Sequence, residues 1–282
     1  MEISDTQMIQ LRKVELNILR NFIEVCDKLN VSYFAIQGTL LGAVRHHGFI
    51  PWDDDIDVGM LREDYNKFLE NAQMLLPEPY FLQTHRTDPM YPHGFAKIRN
   101  SATTFVETTC RNLKMNHGIY IDIFPFDYYP DSILQQTAFN LKKLILRYRI
   151  RDSLYIPTDN QMNIKNFARQ SLKNFSKLLY PSLESALDAQ ENLYEYTKHS
   201  YNRINNGSPW GKRECIPAKW LDDTVVMDFD GMKVKAPRCY KKYLSHVYGD
   251  YMSLPPPNER VPHHYICALD FNKSYRDYLR KP

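Results

Sequence analysis

A Gly-Thr turn at Gly38-Thr39, followed by the acidic run Asp53-Asp54-Asp55-Ile56-Asp57-Val58, constrains this chain more than any other stretch. Residues two apart in a strand share a face, so Asp55 and Asp57 project to one side while Ile56 and Val58 enter a core. Aspartate is depleted in strands, and two carboxylates on one face repel each other. A cation between them removes that cost. Hard divalent ions such as Mg²⁺ or Mn²⁺ take oxygen ligands, and Mg²⁺ binds through one or two carboxylates together with substrate phosphates. The glycine lets the backbone approach a phosphate, and a helix opening at the turn offers free N–H groups to an anion. Alone, Gly38-Thr39 is an ordinary strand-to-helix turn. Ahead of the paired acids, it points to phosphoryl or nucleotidyl chemistry on a metal.

The remaining composition bounds the class. A chain of 282 residues with 43% apolar content can bury a substantial core. A net charge of +3 is too mild to argue for nucleic acid. Cys26, Cys110, Cys215, Cys239 and Cys267 are scattered, with no C-x-x-C pair, and read as reduced thiols. The first residues have no basic segment followed by an apolar one, and no apolar run approaches the ~20 residues of a membrane span. The expectation is a soluble cytoplasmic protein. The 20 tyrosines suit sugar or cation recognition as well as plain packing.

Periodicity places the elements. Leu11, Val14, Ile18, Phe22, Val25 and Leu29 recur at steps of three and four, predicting a helix over 7–29, and Ser4 with Gln7 forms a capping-box pattern. Short strands are expected at Val31–Ile36, Asp55–Met60, Tyr80–Thr84, Gly94–Arg99, Thr103–Glu107 and Ile119–Phe124, the last ended by Pro125. Helices are expected over 39–46 and 62–76. Residues 131–205 read as mainly helical, Thr224–Lys235 as a hairpin turning at Asp230-Gly231, and Tyr240–Tyr248 as a short helix before an irregular tail. The fold class is therefore α/β (α+β): a mixed sheet flanked by helices over 1–130, then a mainly helical subdomain over 131–282.

Asp122 is a third acid alternating with apolar residues. If its strand lies beside Asp55–Met60, three carboxylates converge as a metal site, with Asp122 as a further ligand or as base for an attacking hydroxyl. Asp53 and Asp54 read as solvated surface, and Asp127 as a turn residue. Lys97 and Arg99 share a strand face, and with Arg45 are candidates to neutralise phosphate charge. The adjacent pairs His46-His47 and His263-His264 are poor metal ligands, since neighbouring histidines seldom converge on one ion. Trp52, Tyr128 and Tyr129 are aromatic faces that suit either a quaternary ammonium or core packing.

Gly38-Thr-Leu-Leu-Gly-Ala-Val-Arg45-His46, then Gly48-Phe-Ile-Pro-Trp-Asp-Asp-Asp-Ile-Asp57-Val, closely resembles the signature of the LicD family, which joins bacterial phosphorylcholine transferases to the fukutin-related proteins within the nucleotidyltransferase-fold superfamily. Phe95-Ala-Lys97-Ile-Arg99, Gly118-Ile-Tyr-Ile-Asp122-Ile-Phe-Pro125 and Tyr248-Gly-Asp-Tyr-Met252 with Leu254-Pro-Pro fit the same pattern. The resemblance spans residues 30 to 260 and is weakest across 131–205. Thr39 stands where the wider superfamily has Ser or Gly, and the gap from turn to acids is long.

The resemblance implies a transferase of substituted phosphate groups that takes a phospho-alcohol, phosphocholine in the best-known branch, from a CDP-activated alcohol such as CDP-choline. The acceptor is a hydroxyl of a cell-surface glycan or its lipid-linked precursor, as in lipopolysaccharide or teichoic acid modification, and CMP leaves. Asp55, Asp57 and Asp122 would hold Mg²⁺ or Mn²⁺. Gly38, Thr39, Arg45, Lys97 and Arg99 would bind nucleotide and phosphate. Gln37, His46, Trp52, Asp54, His117 and Tyr128 are further candidates for substrate contact. No nucleic-acid partner is expected, and the implied place is the cytoplasm at the inner face of the membrane, with peripheral contact. The rival readings are a metal-dependent glycosyltransferase using a nucleotide-sugar, which the Gly-Thr turn argues against, and a non-catalytic nucleotide-binding relative, which the presence of all three acids argues against.

Overall fold

The computed structural model describes residues 3–154, 164–195, 202–206 and 211–280. The chain opens with α1 (Asp5–Leu29), capped by a reciprocal pair: Gln7 N–H donates to the Ser4 hydroxyl and Ser4 N–H to the Gln7 side chain. Leu11, Ile18, Phe22 and Val25 form its buried stripe, and Asn30 ends it in the left-handed conformation. Then come β1 (Phe34–Ala35), α2 (Gln37–Arg45), β2 (Asp57–Leu61), α3 (Arg62–Leu75), β3 (Tyr80–Gln83), β4 (Ala96–Asn100), β5 (Thr104–Glu107) and β6 (Ile119–Tyr129). Three helices follow: α4 (Ile133–Arg151), α5 (Ile164–Leu179) and α6 (Leu183–Glu195). After them come β7 (Arg203–Asn205), β8 (Ile216–Pro217), β9 (Thr224–Phe229), β10 (Met232–Pro237), α7 (Tyr240–Tyr248), β11 (Ile266–Asp270) and α8 (Tyr275–Leu279).

The central sheet runs β1-β2-β6-β4-β3. Among the described residues only β2 and β6 are parallel, with Asp57 opposite Asp122 and Val58 opposite Ile123. The antiparallel β4 sets Lys97 against Asp122 from the other side. One face of these three strands, Val58, Met60, Ile98, Ile121 and Ile123, is wholly buried in the main core with the α1 stripe. The opposite face carries the charges. The architecture is the mixed α/β sheet flanked by helices that the periodicity predicts.

The C-terminal half packs back on the N-terminal strands repeatedly. β7 extends the central sheet by pairing with the far end of β6, and β11 pairs with β5. The β9–β10 hairpin turns at Asp230 and Gly231, both at positive φ (45° and 77°), as the two-residue turn requires. Its tip reaches the segment ahead of the acids: Asp230 N–H donates to the His47 carbonyl, and Phe49 N–H to the Asp230 carboxylate, 2.9 Å each.

Two expectations fail locally. β6 does not stop at Pro125 but runs on to Tyr129. Asp122 N–H points to β2, so the missing N–H of Pro125 falls on the β4 side, two residues beyond the last β4 pair, Ala96–Ile123, where no ladder bond is lost. Asp127 is not a turn residue. It lies buried in that extension, held bidentately by Arg62 at 2.6 and 2.7 Å.

Candidate active site

The site sits at the leading ends of β2 and β6. Ile56 C=O accepts from Asp122 N–H at 2.9 Å, so the ladder begins one residue after Asp55, and Asp57 and Asp122 stand side by side. Thr39, near the start of α2, fixes this edge from above: its hydroxyl accepts from Asp57 N–H at 2.8 Å. Gly38 lies against the acidic run so closely that a Cβ there would come within 2.4 Å of Asp53 Oδ2. The turn and the acids, separated in sequence, are thus one assembly.

The long gap between them is an anchored loop. Arg12 on α1 donates to the carbonyls of Ile50, Pro51 and Asp53, 2.9 Å each, and its guanidinium stacks over Phe49. Asp53 and Asp54 are not solvated: they are 2% and 1% exposed. The tail folds back onto them. Backbone N–H groups of His263 and His264 both donate to the Asp54 carboxylate at 3.2 Å, and the His264 ring lies 3.1 Å from it. His263 Nδ1 lies 3.3 Å from Asp53. Asp53, Asp55 and His263 bring their ligand atoms within 4.8 Å of one another.

Buried charge sets the electrostatics. Desolvation, then Asp53, pushes the Asp55 carboxyl up to about 7, against the pull of His264. Desolvation, then Asp55 and Asp122, lifts Asp57 well above the carboxylate range, and Asp122 is raised by burial despite Lys97. Among the described residues of this edge, the ligand atoms that gather within 4.8 Å are those of Asp53 and Asp55 with His263, while Asp57 and Asp122 stand beside them in the ladder. Carboxylates that burial and neighbouring acids disfavour fit a hard divalent cation, which would relieve both.

Lys97 is the cation already present. Its ammonium, 2% exposed, lies 3.0 Å from Asp122, 3.2 Å from Glu107 on β5 and 3.2 Å above the Tyr120 ring. Burial pushes Glu107 up, yet Lys97 and then His264 outweigh it and hold that carboxyl well below its usual range. Beyond Lys97, Phe95 packs on Phe124 (centroids 4.3 Å apart), and the two rings border a cavity of about 380 Å³ closed on its far side by α4 and α6.

Other sequence candidates lie elsewhere. Arg99 is buried in the sheet, bonded to the Gln83 side chain and to the Gly118 carbonyl at 2.7 Å. His117 is buried with its ring on the Leu113 carbonyl. Arg45 holds the carbonyls of Tyr251 and Ser253 and the His46 ring. Trp52 receives the Arg260 guanidinium on its face, 5.7 Å from the centroid, with His46 at its edge. Tyr128 is half-buried in the β6–β7 ladder, and Gln37 opens α2 at φ 46°. Sequence reasoning missed Arg12, Glu15, Glu107 and Tyr120, and set the two tail histidines aside. Glu15 did carry a signal, an acid within the apolar stripe of α1. It is 2% exposed, and burial together with Asp55, Asp54 and Asp53 raises its carboxyl well above the usual range.

A turn packed against paired strand acids, on a mixed sheet flanked by helices, defines a nucleotidyltransferase-type domain. Residues 30–160 match the family model described as LicD/FKTN/FKRP, nucleotidyltransferase domain, so the chain carries a domain of the LicD type. It is 29% identical over 252 residues to a lipopolysaccharide cholinephosphotransferase of Haemophilus influenzae, covering 88% of this chain and 92% of that one. Over 45 residues it is 44% identical to the human ribitol 5-phosphate transferase FKRP, 16% of this chain and 9% of the relative.

Proposed function

We propose that this protein transfers a phospho-alcohol, phosphocholine in the first instance, from a CDP-activated donor to a hydroxyl of a cell-surface glycan or its lipid-linked precursor, releasing CMP. The observation that carries the reading is the register pair Asp57–Asp122 with Lys97 opposite and the Gly38–Thr39 turn packed on the same edge. Support comes from the near full-length similarity to a cholinephosphotransferase and the local similarity to a ribitol phosphate transferase, both of which move an alcohol phosphate.

Asp55, Asp57 and Asp122 are the residues to hold Mg²⁺ or Mn²⁺, whose bound charge would neutralise the donor diphosphate. The new bond joins the acceptor oxygen to the phosphorus bearing the alcohol, and the bond from that phosphorus to CMP breaks. Asp122, whose carboxylate burial makes a stronger base despite Lys97, is the residue to take the acceptor proton. Lys97, fixed by three partners, supplies a preorganised positive charge beside it.

The test is CMP release from CDP-choline, CDP-ethanolamine, CDP-ribitol and CDP-glycerol with Mg²⁺, with and without glycan acceptor. Metal-dependent release from one donor, reduced at least ~10²-fold in Asp55→Asn, is the expected result. Near-wild-type turnover in that variant would sink the reading.

A further inference from the structure

Two helices carry a surface that the transfer chemistry does not use. α4 and α5 contain nine lysines and arginines and no aspartate or glutamate, in a chain whose net charge is only +3, so the remainder is net acidic. Both also bare large apolar side chains. Leu134, Leu141 and Leu144 follow one another at helical spacing along α4, and Phe175, Leu178 and Leu179 do so on α5; Leu134 is 83% and Leu178 79% exposed. The opposite side of α4, with Phe139 and Leu146, is buried. The helices are fixed to one another: Arg149 donates to the Tyr180 carbonyl at 2.8 Å, and Asp152 pairs with Lys173 and Lys177.

Leucines flanked by cations, with acids absent, are the composition of helices that lie in a headgroup layer. A second copy of the chain placed on this face would set like charge against like charge. A nucleic acid would meet leucine where its phosphates need donors. We propose that the outer faces of α4 and α5 dock this protein on a bilayer surface rich in anionic lipid headgroups. The apolar side chains enter the acyl boundary, and the exposed Lys142 of α4 with the part-exposed Lys173 and Lys177 of α5 meet the phosphates. The cavity beside Phe124 lies behind the face that carries Leu134 and Leu141, with Leu144 at its edge. This inference stands independently of the transfer reaction, because binding is read without turnover.

The experiment is co-sedimentation of the full chain with vesicles of phosphatidylcholine alone and of phosphatidylcholine mixed with phosphatidylglycerol. Binding to the anionic vesicles that weakens with salt is expected. The double variant Leu141→Asn with Leu178→Asn should lower the partition at least ~10-fold, and Lys142→Gln about fivefold. Met74→Asn, at an exposed apolar position on α3, should bind as wild type. Unaltered thermal melting of each variant shows that the fold is intact. Equal binding to both vesicle types, absence of binding, or a double variant that binds as wild type would overturn the inference. So would a double variant that loses a self-associated species present in the wild type, which would make the face an interface between copies.

Discussion

Lys97 and Asp122 face each other across the β4–β6 ladder with ammonium and carboxylate 3.0 Å apart, and Glu107 completes the contact from β5. One buried cation thus joins the central sheet to the β5–β11 pair and compensates two acids. Truncating it takes the ammonium from both buried carboxylates, and breaking a buried ion pair in this way typically costs about 3–5 kcal/mol. Lys97→Met is therefore expected to unfold at markedly lower urea concentration, with an unchanged denaturant slope. A variant as stable as wild type would show that the pair is energetically idle.

Asp55 gives the acid cluster a pH signature. Burial, then Asp53, lifts its carboxyl from 3.8 to about 7. A raised acid binds more protons folded than unfolded, so its stabilisation is present at low pH and is lost as pH rises through that window. The metal-free wild type should lose stability between about pH 4 and pH 7, and Asp55→Asn should flatten the loss. Mg²⁺ at neutral pH should restore the wild type's melting temperature and leave Asp55→Asn nearly unmoved. Equal Mg²⁺ shifts in the two proteins would remove Asp55 from the metal site.

Much of this was legible in the sequence because it is local. Alternation in Asp55–Val58 and in Ile119–Phe124 reported which side chains leave the core, and steps of three and four reported α1. What escaped is held by contacts distant in the chain. Asp53 and Asp54 read as surface because the tail that buries them arrives more than two hundred residues later, through His263 and His264. Arg99 read as a phosphate ligand because its strand face was correctly inferred, but period alone does not reveal that Gln83 and Gly118 already occupy it. Pro125 read as a strand end because the rule against proline applies only where a neighbouring strand needs the N–H.

The Thr39 hydroxyl is the joint between turn and acids. It accepts the Asp57 N–H within a site where Thr39 itself is 3% exposed. Thr39→Val keeps the shape but leaves a buried N–H unsatisfied, costing about 1–3 kcal/mol. Thr39→Ser retains the acceptor. Turnover in Thr39→Val should fall with kcat more than with KM, since the displaced group positions Asp57, and Thr39→Ser should recover most of it. Equal loss in both variants would assign the effect to packing of the methyl group.

His264 stabilises the acidic loop only while it is charged. Burial opposes its protonation, but the hydrogen bond to Asp54 and the charges of Asp55 and Glu107 outweigh burial and lift it from 6.5 to about 10. A histidine raised in the folded state contributes fully below its unfolded value and loses that contribution as pH climbs through the folded one. His264→Gln should therefore be clearly less stable than wild type below about pH 6.5, with the difference shrinking steadily toward about pH 10. Denaturant midpoints of the two proteins across that range measure it. The backbone N–H groups of His263 and His264 still reach Asp54 in the variant, so the loop stays closed and the comparison isolates the ring's charge. A stability gap of constant size at every pH would mean that the ring acts by packing against Phe105 and Tyr120 instead.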